Sequence, residues 1–461
     1  MIPFAHALAS RGDLPIPGWL FGWAASIVLV VSFFALATAW RKPKFENREW
    51  REILPRAWRV IGSRAVEILL GLISLGLLGF VVYAGFEGTE AADRNFALTF
   101  VYVTVWLGFP VLSAFLGDLF RPVNPWRQSG RAVGFAIGKL TGKTLPHFRY
   151  PEELGRWPAA AGLVAFVWLE IIYGTAGTSV SLSPEVVANA TILYSAYTWL
   201  MMALFGVEKW SQRGEMFSVY FHMFSTLAAF EVREGKLGRR KALSGTTSWA
   251  NTPGSLALVV TAIGVTTFDG AQEGALANAI NWQVDRLADL GAGVTTAVRG
   301  ADTLFLALVL LGVAAIYLTG IWGMRTVDLK FEFSDLRQKF THTLIPIALA
   351  YLVAHYFSLF FFQEQAQFTF LLSDPLGTGS TNLFGTANYG IDYNAIGPEA
   401  IWYIQLGSLL AGHLVALTLA HDRAISLWSD IRVATRSQYW MLAMMVCFTS
   451  LGLFLLSFAN E

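Results

Sequence analysis

Apolar residues run in blocks of about twenty along this chain, and the shorter polar stretches between them collect nearly all of its Lys and Arg. A helix needs roughly twenty residues, at 1.5 Å each, to cross about 30 Å of hydrocarbon. Ten runs reach or approach that length: residues 18–40, 66–86, 96–117, 157–174, 186–206, 254–270, 303–323, 342–362, 400–420 and 438–458. The fourth and sixth are the shortest. The pattern predicts an all-α polytopic bundle of about ten transmembrane helices, forming a single transmembrane domain over residues 1–461.

The charges orient that path. Of thirty-three Lys and Arg, only Arg11, Arg94, Arg286 and Arg299 fall in segments on one side of it. The other twenty-nine share the opposite side, which the positive-inside rule assigns to the cytoplasm. Both the N-terminus and the C-terminus are then expected outside. Residues 215–232 are apolar enough to suggest an eleventh span, yet Arg233, Lys236, Arg239, Arg240 and Lys241 follow directly. A crossing there would export five cations, so the expectation is an interfacial or half-inserted cytoplasmic helix with Phe217, Phe221 and Phe224 dipping into lipid. Its His222 is read as exposed to water or headgroups. Residues 363–399 form a long extracytoplasmic connection rich in turn residues, suited to a lid over an outer pocket, with Glu364, Asp374 and Asp392 as its carboxylates.

Composition agrees with the pattern. The chain is 55% hydrophobic and 14% charged, with a mean hydropathy of +0.50, which is too apolar for an ordinary soluble domain. A net charge of +1 gives no case for nucleic-acid binding, and the lone Cys447 excludes a disulfide framework or multi-thiolate metal site. No Walker lysine, GxSxG or HExxH motif is present, which removes simple ATPase, serine hydrolase and zincin readings. The N-terminal segment has no basic region preceding an apolar core, so no cleavable signal is expected; His6 is either solvated or, after processing of a longer precursor, a metal ligand.

Ionisable residues inside spans are expensive and usually face the bundle interior, so they are candidates for function. Counting 1.5 Å per residue from the middle of each run puts His355, Glu170 and Asp269 in the outer half, and these three are the candidate catalytic residues. Tyr351, His355 and Ser358 share a helical face, and the same spacing sets Tyr173 beside Glu170. Tyr194 and Tyr197 add hydroxyls at comparable depth. Tyr351, Tyr173, Tyr194, Asp374 and Asp392 are candidate substrate contacts, and His355 with Glu170 are candidate ligands for a divalent metal. A buried hydrogen-bond network that only fixes helix packing is the alternative. His413 lies toward the inner side, while His342 and His421-Asp422 fall at the cytoplasmic boundary, where a solvated interface is expected. Asp118 and Arg121 are spaced for an ion pair at a structural corner, and Pro110 and Pro346 are placed to kink their spans.

Several strings together carry a resemblance: Asp13-Leu14-Pro15-Ile16-Pro17, Gly155-Arg156-Trp157-Pro158, residues 266–270, Met324-Arg325-Thr326-Val327, residues 342–358, Asp374-Pro375-Leu376-Gly377 and residues 434–440. Over nearly its whole length the chain resembles bacterial integral membrane proteins known as fenitrothion hydrolases. The resemblance implies a plasma-membrane enzyme that hydrolyses a lipophilic organophosphorus triester, with room for a second membrane subunit as partner. Such proteins carry a His followed by Gly after an export signal, where this chain has His6-Ala7. The competing classes are a transporter or an ion- or metal-handling membrane protein, and a non-catalytic subunit of a membrane complex.

Overall fold

A computed structural model describes residues 18–46, 49–142, 146–174, 182–249 and 252–458. His6, the string 13–17 and Glu461 lie outside the described residues. The chain is an all-α polytopic membrane protein. Among the described residues, nine helical stretches are long and apolar enough to cross a membrane. They contain α1 (Gly18–Ala39), α2 (Arg64–Glu87), α3 (Phe96–Leu116), α6 (Pro184–Phe205), α8 (Ser255–Gln272), α10 (Val294–Val327), α11 (Ile345–Phe368), α12 (Pro398–Leu427) and α13 (Ile431–Phe458). Shorter helices are α4 (Pro125–Thr141), α5 (Trp157–Tyr173), α7 (Met216–Ser225) and α9 (Ala277–Asp289).

Backbone pairing limits how many times the chain can cross between two of its loops. Strand β1 (Trp50–Glu52) and the hairpin of β2 (Phe230–Arg233) and β3 (Lys236–Arg240) form one antiparallel sheet in the order β1-β3-β2. Trp50 stands opposite Arg240, so residues 50 and 240 lie on the same side of the membrane. The number of crossings between them is therefore even. Three long helices intervene, α2, α3 and α6, and α5, the shorter apolar helix among them, completes an even count despite its seventeen residues. Were α7 also a crossing, the count would be odd. The hairpin turn Glu234-Gly235 has positive φ at both positions (49° and 77°), the geometry that suits the twist of a two-residue connection.

Most of α7 is buried, and His222 alone on it is exposed, as expected. Phe217, Phe221 and Phe224 pack inside the protein instead of dipping into lipid, and Tyr220 stacks on Trp106 of α3 at 4.9 Å. The basic hairpin that follows allows a re-entrant course, because the charges stay on one side while neighbouring helices shield the short helix. Both of its ends are neutralised. Glu215 caps the N-terminus, accepting from Phe217 N at 3.0 Å and Ser218 N at 2.9 Å. At the other end the buried Arg240 donates to the carbonyls of Ser225, Thr226 and Ala228 and pairs with Glu231 at 2.9 Å.

The basic loops are also tied together elsewhere. Asp422, buried rather than solvated, accepts from Trp40 Nε1 and from the backbone N–H groups of Lys44 and Phe45, and His421 beside it is buried between Gln438 and the Trp40 carbonyl. His342 is buried as well. These boundary residues stitch loops to helix ends, which hydropathy alone does not reveal. Arg121 pairs with Glu208 at 3.3 Å, while Asp118 takes His222 at 3.0 Å, so the expected Asp118–Arg121 ion pair is replaced by two others. Burial pushes the Asp118 carboxyl up, but His222 and Arg121 outweigh it and hold the group below the ordinary carboxylate range.

Two expectations about helix ends change. Pro346 lies in the first turn of α11, where a missing N–H costs nothing, so it produces no kink. Pro110 follows a ten-residue π-helical stretch, Thr99–Gly108, at the start of the closing α-helical part of α3. Helix α11 runs on to Phe368, and a short turn continues to Ser373, so the irregular outer connection begins at Asp374 and not at 363. Gln363, Glu364, Gln365 and Gln367 end the apolar run but are good helix formers.

Candidate functional site

Helix α8 brings Asp269 to the middle of the bundle near its outer end, because residues 258–269 are buried on nearly every side. There α11 crosses it. His355 Nε2 lies 2.7 Å from Asp269 Oδ2, and the Tyr356 hydroxyl donates to the same oxygen at 2.7 Å. Gln272, one turn further along α8, donates to Oδ1 at 3.0 Å. Asp269 is only 1% exposed, and three donors converging on it make the surroundings of a carboxylate anion. An anion accepts and cannot donate, so Nε2 of His355 carries the hydrogen. With the ring neutral, its lone pair is at Nδ1.

Space remains beside the ring. A cavity of about 40 Å3 is lined by His355, Tyr351, Thr266, Thr267, Gly270 and Gly452, among others. One water occupies about 30 Å3 of liquid, so the volume matches a single molecule. A Cβ at position 270 would stand 3.4 Å from Nδ1, so Gly270 keeps the approach open. Tyr351 closes one wall, its hydroxyl donating to the Phe448 carbonyl at 2.7 Å. The buried His413 lies tilted against Tyr351, ring centroids 6.1 Å apart, and binds the Leu409 carbonyl through Nδ1.

Glu170 stands apart from the pair. Its Oε2 is shut off from solvent and accepts no hydrogen bond, yet the carboxylate is near enough to Asp269 and Tyr356 to interact with both through charge. The five residues Leu169–Tyr173 are π-helical, a geometry found frequently at functional sites. That widened turn also separates Tyr173 from Glu170: with i→i+5 bonding, residues three apart no longer share a face. Tyr173 is instead partly exposed beneath the Arg299 guanidinium, 4.1 Å from its ring.

The remaining candidates go elsewhere. Tyr194 donates to Glu215 at 2.5 Å and accepts from Met216 N, so it belongs to the foot of α7 and not to the outer cluster. Asp374 accepts from Gly379 N at 2.6 Å and Thr381 Oγ1 at 2.8 Å within the outer connection. Asp392 is exposed and accepts from Asn394 N, while its backbone is clipped to Gln365 beyond the outer end of the membrane path of α11. Glu364 accepts from Thr104 at 2.9 Å. Sequence reasoning missed Tyr356 and Gln272. The second had a usable signal, since it lies three residues after Asp269 on one helix; Tyr356 had none, because adjacent residues on a helix do not share a face.

Among the described residues, no three His, Cys, Asp or Glu side chains come together as a metal-binding group. His355 pairs with Asp269, and Glu170 makes no hydrogen bond to either, so the His355–Glu170 pair does not form a metal cradle here. What the arrangement can do is accept a proton at Nδ1 of His355 and hold the resulting cation against a carboxylate. Comparison with family models, with curated proteins and with solved structures finds no match for this chain.

Proposed function

We propose that this membrane protein belongs to the ion-handling class and moves protons through the Asp269–His355 pair. The observation that carries the reading is the 2.7 Å contact between Asp269 and His355, whose ring borders a small cavity of about 40 Å3. A water there can deliver a proton to Nδ1 or remove it, and Asp269 balances the charge when the ring is doubly protonated. Glu170 supplies a second acceptor close by. The charge asymmetry would put the site in the outer half of the membrane, and the resemblance to bacterial membrane proteins suggests a plasma membrane. The test is reconstitution of the full chain in sealed vesicles with a trapped pH dye and an imposed potential. Proton movement that disappears in His355→Ala supports the proposal, and equal movement in wild type, variant and empty vesicles sinks it.

A second reading comes from the resemblance to fenitrothion hydrolases and from the same cavity. Here His355 Nδ1 takes a proton from water while the water oxygen attacks phosphorus, and the bond from phosphorus to the aryl oxygen breaks to release the phenolate. A triester needs a pocket of several hundred Å3, so it would have to enter by parting the helices around the 40 Å3 cavity. That volume places hydrolysis second. A partner subunit belongs to this reading, and phenolate release by solubilised protein, lost in His355→Ala, would move it to first.

A further inference from the structure

A separate concavity lies on the face opposite the basic loops. The connection that begins at Asp374 folds back over the turn between α2 and α3 and borders an open concavity of about 190 Å3, with Arg94, Asn382 and Asn388 exposed on its wall. Backbone contacts build its frame: Thr89 N–H donates to the Leu376 carbonyl at 2.8 Å, and Phe96 N–H to the Pro375 carbonyl at 3.1 Å. Gly377 has φ +64° and sits so close to the Arg94 carbonyl that any Cβ would collide with it. Behind the wall, the buried Ser373 Oγ accepts from Phe384 N and Thr386 N. The cavity is preformed by this lattice of bonds.

Its charges are unevenly committed. The one acid in the wall, Asp374, is only 6% exposed and already accepts from Gly379 N–H and the Thr381 hydroxyl. Arg94, which also lines the cavity, lies over the Phe370 ring at 5.9 Å and makes no side-chain hydrogen bond or ion pair with any described residue. Asn382 accepts from Ala387 N through Oδ1, which leaves its NH2 to donate, and Asn388 stands beside it in the lining. A guanidinium fork with amide donors around it fits an anion that offers several oxygens. The volume equals roughly six waters at about 30 Å3 each, enough for a phosphate group and too little for a bulky organic molecule.

We infer that this outer cavity binds a phosphate group through Arg94, with Asn382 and Asn388 as further donors. It lies at the membrane-side ends of α2 and α3, so the group can come from a free phosphorylated solute or from a lipid headgroup. The inference is independent of the proton reading. The full chain is placed in nanodiscs of phosphatidylcholine and titrated with inorganic phosphate, against chloride at equal ionic strength, while thermal unfolding is followed by tryptophan fluorescence. A second arm replaces the lipid with phosphatidylglycerol and omits free phosphate. Stabilisation by phosphate, with Arg94→Gln weakening the apparent affinity about tenfold or more, supports a free-solute site. Stabilisation by phosphatidylglycerol alone, again lost in Arg94→Gln, supports a headgroup site. Should Arg94→Gln fail to fold, Arg94→Lys and Asn388→Ala are measured instead, with several-fold weakening expected in each. No stabilisation from either source, or the same stabilisation in the variants, overturns the inference.

Discussion

Two glutamates hold carboxylates inside the bundle, and they are treated in opposite ways. Glu215, at the foot of α7, accepts from four donors: Tyr194 and the backbone of Phe217 on one oxygen, Asn124 and the backbone of Ser218 on the other. Glu170, in the π-helical turn of α5, has an enclosed oxygen that accepts from none. A saturated carboxylate is part of the frame, because every change to it strands a partner. An unsaturated one retains capacity, and burying it without a partner is costly unless something is gained. The same contrast separates the Arg240 hub, whose guanidinium is consumed by carbonyls and Glu231, from His355, whose ring borders a cavity.

If this distinction is sound, Glu215→Ala is the most damaging change. It leaves a tyrosine hydroxyl, an asparagine amide and two backbone N–H groups without an acceptor. The expected loss is on the order of 3 kcal/mol or more, read as a lower unfolding temperature in detergent. Glu170→Gln breaks no hydrogen bond to any described residue and is expected to change stability by less than about 1 kcal/mol. Similar losses for both would break the comparison.

Next in size is the effect at the pair itself. His355→Ala and Asp269→Asn should each reduce proton movement in vesicles about a hundredfold while leaving an intact, inserted protein. Gly270→Ala places a methyl in ordinary contact with Nδ1 and intrudes on the water-sized space. It is expected to slow movement on the order of tenfold, the value of one hydrogen bond, with the unfolding temperature unchanged. A variant that unfolds in parallel with its loss of function would return this residue to the frame.

The depth count along each span placed Asp269, His355 and Glu170 in one half of the membrane, and that much was legible because an α-helix converts residue number into height. Lateral position was not legible. Asp269 and His355 are 86 residues apart on different helices, and nothing in either helix alone says which faces meet. Tyr194 illustrates the limit: it was assigned a depth but not a neighbour, and its neighbour turned out to be Glu215. Likewise Tyr173 was paired with Glu170 on α-helical spacing, which the π-helical turn invalidates. The long spans were legible because hydropathy states them outright. Helix α5 was legible too, as the run 157–174, whereas the buried course of α7 and the small sheet required knowledge of what packs beside them.

The smallest expected effect concerns the charged layer on the basic face. Burial pushes the Glu208 carboxyl up, but Arg127, Arg121 and Arg131 more than offset this and hold it below the ordinary glutamate value of 4.5. A depressed carboxylate contributes stability that is present above the unfolded value and is lost as pH falls through the lower folded one. Its side chain is 45% exposed, so solvent screening keeps the contribution under about 1 kcal/mol. Unfolding curves between pH 6 and 3 should therefore show slightly less acid sensitivity in Glu208→Gln than in wild type; identical curves would show that this cluster is electrostatically idle.

The pairing of Trp50 with Arg240 has a consequence in time. At a synthesis rate of 5–20 residues per second, β1 is made roughly ten to forty seconds before the strand that completes it. During that interval four helices enter the membrane, and the first basic loop must remain available on the ribosome's side until the hairpin arrives. The hairpin itself closes locally and needs no such delay. A chaperone or inserted helix that occupied the early strand would therefore block the sheet while α8 and the later spans are still to be made.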